Sequence, residues 1–172
     1  MPFKLKTYNN PSLDILTPIV NKFKLSNHQH SRCYEPEKSE VIEKQLLDNI
    51  IQRATENKTK LHILYDNRTD ESIPCGLLAL NFEVVGDFST LSIDLIFICD
   101  SYRDKYIKEL DSKISFYLLN IALQEAKKMN DTSHIDAVIL TPINECVSKV
   151  YQDFGFEELS DDWLYLLVDN IN

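Results

Sequence analysis

Glycine is scarce in this chain, which contains only three glycines among 172 residues. They are Gly76, Gly86 and Gly155. Because glycine adopts left-handed backbone angles at little cost, its scarcity predicts few positions with unusual backbone geometry. It also limits the number of places where backbone N–H groups can closely approach a bound phosphate.

The four cysteines, Cys33, Cys75, Cys99 and Cys146, are far apart and form no Cys-x-x-Cys pair. His28 and His30 near Cys33 have the chemistry of metal ligands, but their spacing matches no common zinc pattern, so we expect no metal. The N-terminus does not resemble a signal peptide, and no apolar run approaches the ~20 residues of a membrane-spanning helix. We therefore expect a reduced, cytoplasmic protein.

Positive charge is also in short supply, since 18 lysines and arginines face 27 aspartates and glutamates. The resulting net charge of −9 argues against general nucleic-acid binding, because a phosphate backbone would be repelled. This charge is compatible with a cationic partner, such as an amine or a basic peptide. The alternative is that the acidity only keeps the protein soluble.

The hydrophobic periodicity predicts an α/β chain (an α+β mixed sheet) in the order β, α, α, three β, α, β, α, β, β. Strands are expected at Phe3–Tyr8, Leu61–Tyr65, Pro74–Val85, Thr90–Cys99, Ile135–Leu140, Phe156–Leu159 and Leu164–Val168. Helices are expected from Leu13 to Phe23, from Ser39 to Asn57 and from Asp111 to Met129. A short last helix carries Val147, Val150 and Tyr151, and Gly155 suits its C-terminus.

This order of elements resembles the GNAT superfamily of acyl-CoA-dependent N-acetyltransferases. The strongest local similarity is the closing segment Tyr151-Gln152-Asp153-Phe154-Gly155-Phe156-Glu157, with a helix bearing a tyrosine followed by Phe-Gly-Phe and a strand. The resemblance implies a single domain over residues 1–172. Its central sheet would be mostly antiparallel, with a parallel pair at the cofactor cleft and helices on its flanks. It also implies acetyl-CoA as co-substrate.

The loop expected to hold the CoA pyrophosphate departs from the family pattern. Tyr102 to Lys108 align with the common Tyr-Arg-Gly-Lys-Gly-Ile-Gly, in which Arg103, Lys105 and Ile107 agree. The positions of the glycines are occupied by Asp104, Tyr106 and Lys108. A second register places the loop at Leu110–Ser115 and restores the usual helix length, again without glycine. We expect Arg103, Lys105, Lys108 and Ser112, with Lys113, to meet the CoA phosphates.

The resemblance also implies candidate catalytic groups. Tyr151 matches the tyrosine that can protonate the departing thiolate. The backbone of Phe97, Ile98 and Cys99 would lie at a strand bulge whose N–H group holds the thioester carbonyl.

Carboxylates in the cleft are candidates for the base that deprotonates the amine. Asp94 and Glu83 are the leading candidates, with Asp100 behind them. Asn144 precedes the last helix, where it would contact the pantetheine or simply cap the helix.

The sequence thus predicts transfer of an acetyl group to a primary amine by direct attack in a ternary complex. The acceptor could be a small molecule, a peptide amine, or an aminoacyl-tRNA as in toxin-type members of the superfamily, and related folds often form homodimers. A thiol mechanism using Cys99 and His134 is not expected, because nothing orients one toward the other.

The alternative is a non-catalytic GNAT-fold binding or regulatory protein that has lost CoA binding. Asp104, Tyr106 and Lys108 favour this alternative, and the intact segment from Tyr151 to Phe156 favours the enzyme. If Tyr106 filled the cofactor cleft, the enzyme hypothesis would lose most of its support.

Overall fold

The computed structural model describes residues 2–26, 39–160 and 162–171, so His28, His30 and Cys33 lie outside the described residues. The strands are β1 Phe3–Tyr8, β2 Lys60–Asp66, β3 Ile73–Val85, β4 Phe88–Ile98, β5 Tyr106–Ile107, β6 Ser112–Lys113, β7 Ala137–Leu140, β8 Glu157–Ser160 and β9 Trp163–Leu167. The helices are α1 Leu13–Val20, α2 Ser39–Thr55, α3 Ile114–Ser133 and α4 Glu145–Asp153. Single 3-10 turns span Asp100–Tyr102, Lys108–Leu110 and Val168–Asn170.

Seven of the strands form one mixed sheet in the order β1-β2-β3-β4-β7-β9-β8, while β5 and β6 form a separate two-stranded sheet. β4 and β7 run parallel, with Thr90 opposite Ala137 and Ile93 opposite Leu140. β1 pairs antiparallel with β2, and β9 pairs antiparallel with both β7 and β8. The predicted fold class, a mostly antiparallel mixed sheet with one parallel pair, is therefore confirmed.

The chain divides into two compact units, one of Met1–Ala79 with Leu95–Leu119 and the other of Leu80–Asp94 with Asn120–Asn172. In the first unit, apolar residues of α1, α2 and the strands form one buried cluster that includes Leu16, Leu47, Ile63 and Phe97. In the second unit, the strand β7 is buried along its whole length. None of the described helices is long and apolar enough to cross a lipid bilayer.

Left-handed backbone angles are more frequent than the three glycines predict. Among the residues that the structure describes, five non-glycine residues have a positive φ, namely Asn10, Asn57, Asp104, Asp111 and His134. All are asparagine, aspartate or histidine, the types that tolerate this region best because their short polar side chains bond locally. The chain thus makes its tight turns largely without glycine.

Helix α3 differs from its predicted bounds of Asp111 to Met129. It begins at Ile114 because Asp111 has a φ of 50°, which no residue inside a helix can adopt. It continues to Ser133 and stops before His134, which is left-handed in the manner of a C-terminal cap. The N–H of Ile135 then donates to the side chain of Asn130 at 3.1 Å.

A polar cluster fixes the 3-10 turn after β4 to the end of β2. The carboxylate of Asp66 accepts hydrogen bonds from the Arg68 side chain at 2.7 Å and from the Tyr102 hydroxyl at 2.8 Å. Burial raises the pKa of the Asp66 carboxyl, but the hydrogen bonds from Arg68 and Tyr102 outweigh that effect and the net pKa is lowered. The ionised carboxylate therefore stabilises the fold.

Gly76 on β3 lies close to α3, so a larger side chain at this position should disturb the packing between them. A Cβ at this position would stand 2.9 Å from a methyl of Ile114 and 3.0 Å from a methyl of Leu118, both buried. Overpacking of this kind costs roughly 1–3 kcal/mol. We expect Gly76→Ala to lower the free energy of unfolding by that amount in urea titrations.

The matched control is Gly86→Asn, where a side chain meets open space and asparagine tolerates the φ of 62°. We expect this control to stay within about 0.5 kcal/mol of the parent. A Gly76→Ala protein as stable as the parent would contradict the close packing of β3 on α3.

Asp66 predicts a pH dependence of stability. Its folded-state pKa lies below the ordinary value of 3.8, so its contribution is present above that value and is lost as the pH falls through the lowered one. Asp66→Asn should lower the free energy of unfolding by roughly 1–3 kcal/mol at pH 7. The difference in this free energy between the variant and the parent should shrink toward pH 3. Thermal unfolding across this range measures the effect, with the exposed Asp70→Asn as control. A difference that does not change with pH would contradict the account.

Candidate functional site

The predicted backbone site at the end of β4 is tightly held. The N–H of Cys99 donates to the carbonyl of Cys75 at 3.0 Å, and the carbonyl of Ile98 accepts from Arg103 Nε at 3.0 Å. The peptide group between Ile98 and Cys99 is therefore engaged at both of its polar atoms. Because the Cys99 N–H already has a protein acceptor, Phe97 and Ile98 are the better candidates for a donor to a substrate carbonyl.

Cys99 has the properties of a structural thiol. Its side chain is buried and donates to the carbonyl of Pro74 at 3.2 Å, and burial raises its pKa to about 11. A thiol that stays protonated at neutral pH is a poor nucleophile. This agrees with the sequence argument against a thiol mechanism.

Arg103, predicted to meet CoA phosphates, is directed toward α2. Its guanidinium forms an ion pair with Glu43 at 2.6 Å, hydrogen bonds to the hydroxyl of Ser26, and lies 5.6 Å from the centroid of the Phe97 ring. Ser26 also donates to Glu43 through its N–H and its hydroxyl, at 2.8 and 2.7 Å. The structure thus surrounds this arginine with protein partners.

Glu43 is a site residue that the sequence analysis missed. It is only 2% exposed, and it precedes Leu47, Ile50 and Ala54 by four, seven and eleven residues, so it lies on the buried side of α2. An acidic residue within such an apolar stripe requires a buried partner, because an isolated charge there is too costly. That spacing was the available signal, although it does not identify Arg103 as the partner.

The lysines of the loop lie on a small hairpin just before α3. Lys105 and Lys108 are exposed, and β5 pairs with β6 so that Ile107 faces Ser112. Lys113 ends this hairpin directly before the helix and contacts Asp104 at 3.2 Å. The helix start at Ile114 corresponds to the second sequence register, Leu110–Ser115, and the β5–β6 hairpin lies between Arg103 and Ile114.

The glycine positions of the family pattern are occupied by Asp104, Tyr106 and Lys108. Asp104 takes a φ of 56°, which a glycine would also adopt. The Tyr106 side chain is 62% exposed and its hydroxyl bonds to Asp111. The Tyr106 side chain is therefore not packed into the protein interior, which removes one sequence-based objection to a cofactor site. The hydroxyl of Ser112 donates to the carbonyl of Lys113 at 3.0 Å.

In the second unit, α4 carries Asn144 and Tyr151. The side chain of Asn144 caps the helix by accepting from the N–H of Val147 at 2.9 Å. The half-buried Tyr151 ring packs edge-on against the buried Phe156, with 5.7 Å between centroids. Gly155, with a φ of 94°, makes the turn that allows this contact.

The two leading candidate bases also lie in this unit, on neighbouring strands. Asp94 is half-buried on β4 and accepts from the Ser92 hydroxyl at 3.2 Å, whereas Glu83 on β3 accepts from the Asn81 amide at 2.8 Å. The carbonyl of Glu83 accepts from Thr90, which lies four residues before Asp94. Four residues of strand span roughly 13 Å, so these two acids are alternatives rather than a pair sharing one proton.

Asp100, the third candidate, lies in the first unit on the turn after β4. One of its carboxylate oxygens is buried and accepts no hydrogen bond from the described residues. Nor do the described residues contain a cluster of three or more histidine, cysteine or acidic side chains suited to a metal ion.

No protein-family model matches the chain, and no curated protein sequence matches it significantly. Solved structures do match. The AtaTR complex bound with acetyl-CoA has a TM-score of 0.68 and 13% identity, over 98% of this chain and 94% of the other. AtaT complexed with acetyl-methionyl-tRNAfMet has a TM-score of 0.65 and 12% identity, over 97% of this chain and 95% of the other.

A KacTA–DNA complex is similar, with a TM-score of 0.66 and 12% identity over 96% of this chain and 94% of the other. AtaT is a toxin of the GNAT fold. At these identities the likeness concerns the fold, and it extends over nearly the entire chain. The chain therefore has the fold of the GNAT superfamily, as its sequence predicts.

Proposed function

We propose that the chain is an acetyl-CoA-dependent N-acetyltransferase that acts on a primary amine. The observation that carries this proposal is the match of 98% of the chain to a structure bound with acetyl-CoA. The exposed position of Tyr106 supports it against the alternative of a non-catalytic protein, because this side chain is not packed into the protein interior.

In the proposed phosphate site, the charges of lysines would replace the backbone contacts that glycines allow. Lys105, Lys108 and Lys113 precede or adjoin the start of α3, whose first turn contains no acidic residue. The helix N-terminus therefore adds its favourable dipole to three cations without opposition from a carboxylate of that turn. Ser112 is the small residue of this set. Arg103 is left out because its guanidinium already pairs with Glu43.

Acetyl-CoA supplies a thioester that a free amine can attack. In the first unit, the backbone N–H of Phe97 or Ile98 would donate to the thioester carbonyl and stabilise the negative charge that develops there. In the second unit, Tyr151 would hold the proton that the departing sulfur requires, and Glu83 or Asp94 would accept a proton from the amine. Asn144 would set the start of α4 and so fix Tyr151, seven residues later on the same side of the helix.

The net charge of the chain bears on the acceptor. AtaT has been solved with acetyl-methionyl-tRNAfMet, which makes an aminoacyl-tRNA one candidate. A protein of net charge −9 repels a polyanion, whereas a small amine or a peptide amine is cationic. We therefore rank small and peptide amines above aminoacyl-tRNA as acceptors.

The phosphate site predicts salt-sensitive binding of acetyl-CoA. Calorimetric titration of the parent should give a dissociation constant that rises with salt, because Lys105 and Lys108 are exposed, Lys113 is half-buried, and salt screens their charges. The triple change Lys105→Gln, Lys108→Gln, Lys113→Gln should weaken binding roughly tenfold, about 1.4 kcal/mol in total. The exposed Lys128→Gln, which removes one positive charge from an ion pair with Glu125, is the single-site control. Absence of binding at millimolar acetyl-CoA would overturn the proposed function.

The proposed role of Tyr151 as the acid predicts that Tyr151→Phe loses turnover but still folds. In Tyr151→Phe the ring and its contact with Phe156 remain while the hydroxyl is removed, so we expect turnover to fall by roughly 10²- to 10⁴-fold at unchanged acetyl-CoA affinity. Thiol release would be followed with a panel of small amines, peptides and aminoacyl-tRNA. Tyr165→Phe, whose hydroxyl bonds only to the exposed Glu157 among the contacts described, is the matched control. Turnover within twofold of the parent would exclude Tyr151 as the acid.

A further inference from the structure

Glu43 is the most deeply buried carboxylate among the described residues. Both oxygens of its carboxylate have polar partners. One oxygen accepts the Ser26 N–H at 2.8 Å, and the other accepts the Ser26 hydroxyl at 2.7 Å and meets Arg103 at 2.6 Å. A carboxylate buried in this way is tolerated only while its cation remains in place.

The Arg103 side chain is also held by several protein contacts. One side of its fork contacts Glu43 and Ser26, its Nε donates to the Ile98 carbonyl at 3.0 Å, and it lies over the Phe97 ring. A phosphate that displaced Glu43 from this guanidinium would leave a buried charge unpaired. The contacts thus oppose the phosphate role that the sequence register implies for this residue.

The contacts of Arg103 act on the backbone instead. The Ile98 carbonyl is held by Arg103 and the Cys99 N–H by Cys75, while the Cys99 carbonyl accepts from Tyr102 and the Asp100 N–H donates to Lys24. Two consecutive peptide groups are therefore fixed at all four polar atoms. The preceding Ile98 N–H belongs to a peptide group joined to this fixed pair at the Ile98 Cα, so its orientation relative to the pair depends only on φ and ψ of Ile98.

We propose that Arg103 and Glu43 are a positioning pair that orients the backbone donors of Phe97 and Ile98 toward the thioester carbonyl. Arg103 acts through the backbone of β4 and does not bind phosphate. The planar guanidinium is essential for this role, because a lysine keeps the positive charge but cannot donate to Glu43, Ser26 and the Ile98 carbonyl at the same time in one plane. This inference rests on the proposed function.

The experiment separates the carbonyl contact from the phosphate contact. Infrared spectra of acetyl-CoA carrying carbon-13 at the thioester carbonyl report hydrogen bonding to that oxygen, because a donor lowers the stretching frequency. Calorimetric titration over a range of salt concentrations reports the charges that meet the phosphates. Both are measured on the parent, Arg103→Lys, Arg103→Gln and Glu43→Gln. Lys58→Gln, in an exposed ion pair with Glu56, is the control.

We expect the bound carbonyl band of each Arg103 and Glu43 variant to return toward that of free acetyl-CoA. Affinity should stay within about threefold of the parent, and the salt dependence should be unchanged even in the neutral Arg103→Gln. A weaker salt dependence and a tenfold or greater loss of affinity in Arg103→Gln, with the band unmoved, would assign Arg103 to the phosphates and overturn the proposal. So would an unmoved band in folded Arg103→Lys and Glu43→Gln.

Two further observations keep the test decisive. Thermal unfolding checks that each variant is folded, and the double variant Glu43→Gln with Arg103→Gln leaves no unpaired buried charge if a single variant does not fold. If the parent itself does not bind acetyl-CoA, the proposed function fails and this inference fails with it. If the parent binds and only the carbonyl band fails to respond, the positioning role alone is overturned.

Discussion

The buried ion pair between Glu43 and Arg103 is the constraint on which the first unit's candidate site depends. It joins a helix near the beginning of the chain to the turn that follows β4, across sixty residues of sequence. The cost of burying two charges is offset only because Ser26 and the Ile98 carbonyl complete their hydrogen bonds. The result is a strand end whose backbone has little freedom to move.

A second polar cluster, around Asp66, also holds the turn that follows β4. Tyr102, the residue before Arg103, donates through its hydroxyl to Asp66, and Asp66 also holds Arg68. Successive side chains of one short turn are thus anchored to different elements, α2 and β2. Turns that present backbone groups to a ligand gain from such rigidity, since less ordering remains to be done when the ligand binds.

The element order and most of the fold follow from sequence periodicity, because β1, α2, β2 and the later strands carry strong alternating or helical apolar patterns. The start of α3 was misplaced because aspartate, unlike glycine, gives no clear sign that it will adopt a left-handed angle, as Asp104 and Asp111 do. The roles of single residues were harder still. Arg103 matched a family position by alignment, yet its partner Glu43 lies sixty residues away, a pairing that only the tertiary structure reveals. The described contacts of Asn144 with Val147 and of Tyr151 with Phe156 are local in sequence, whereas the roles proposed for these two residues stay predictions.

The hairpin before α3 bears on how this chain would hold a phosphate group. Small residues normally let the backbone approach the ligand, whereas in the proposed site Lys105, Lys108 and Lys113 would provide charge from a loop that keeps an aspartate at a left-handed position. Binding by flexible cations is more sensitive to salt than binding by backbone amides.

The most direct test of acetyl-CoA binding is the free energy of unfolding with and without ligand. A ligand that binds only the folded chain stabilises it by about 2.7 kcal/mol at one hundred times its dissociation constant. We predict such an increase with acetyl-CoA, and a much smaller one with S-acetyl-pantetheine, which lacks the phosphates. No change in stability at millimolar acetyl-CoA would contradict the account.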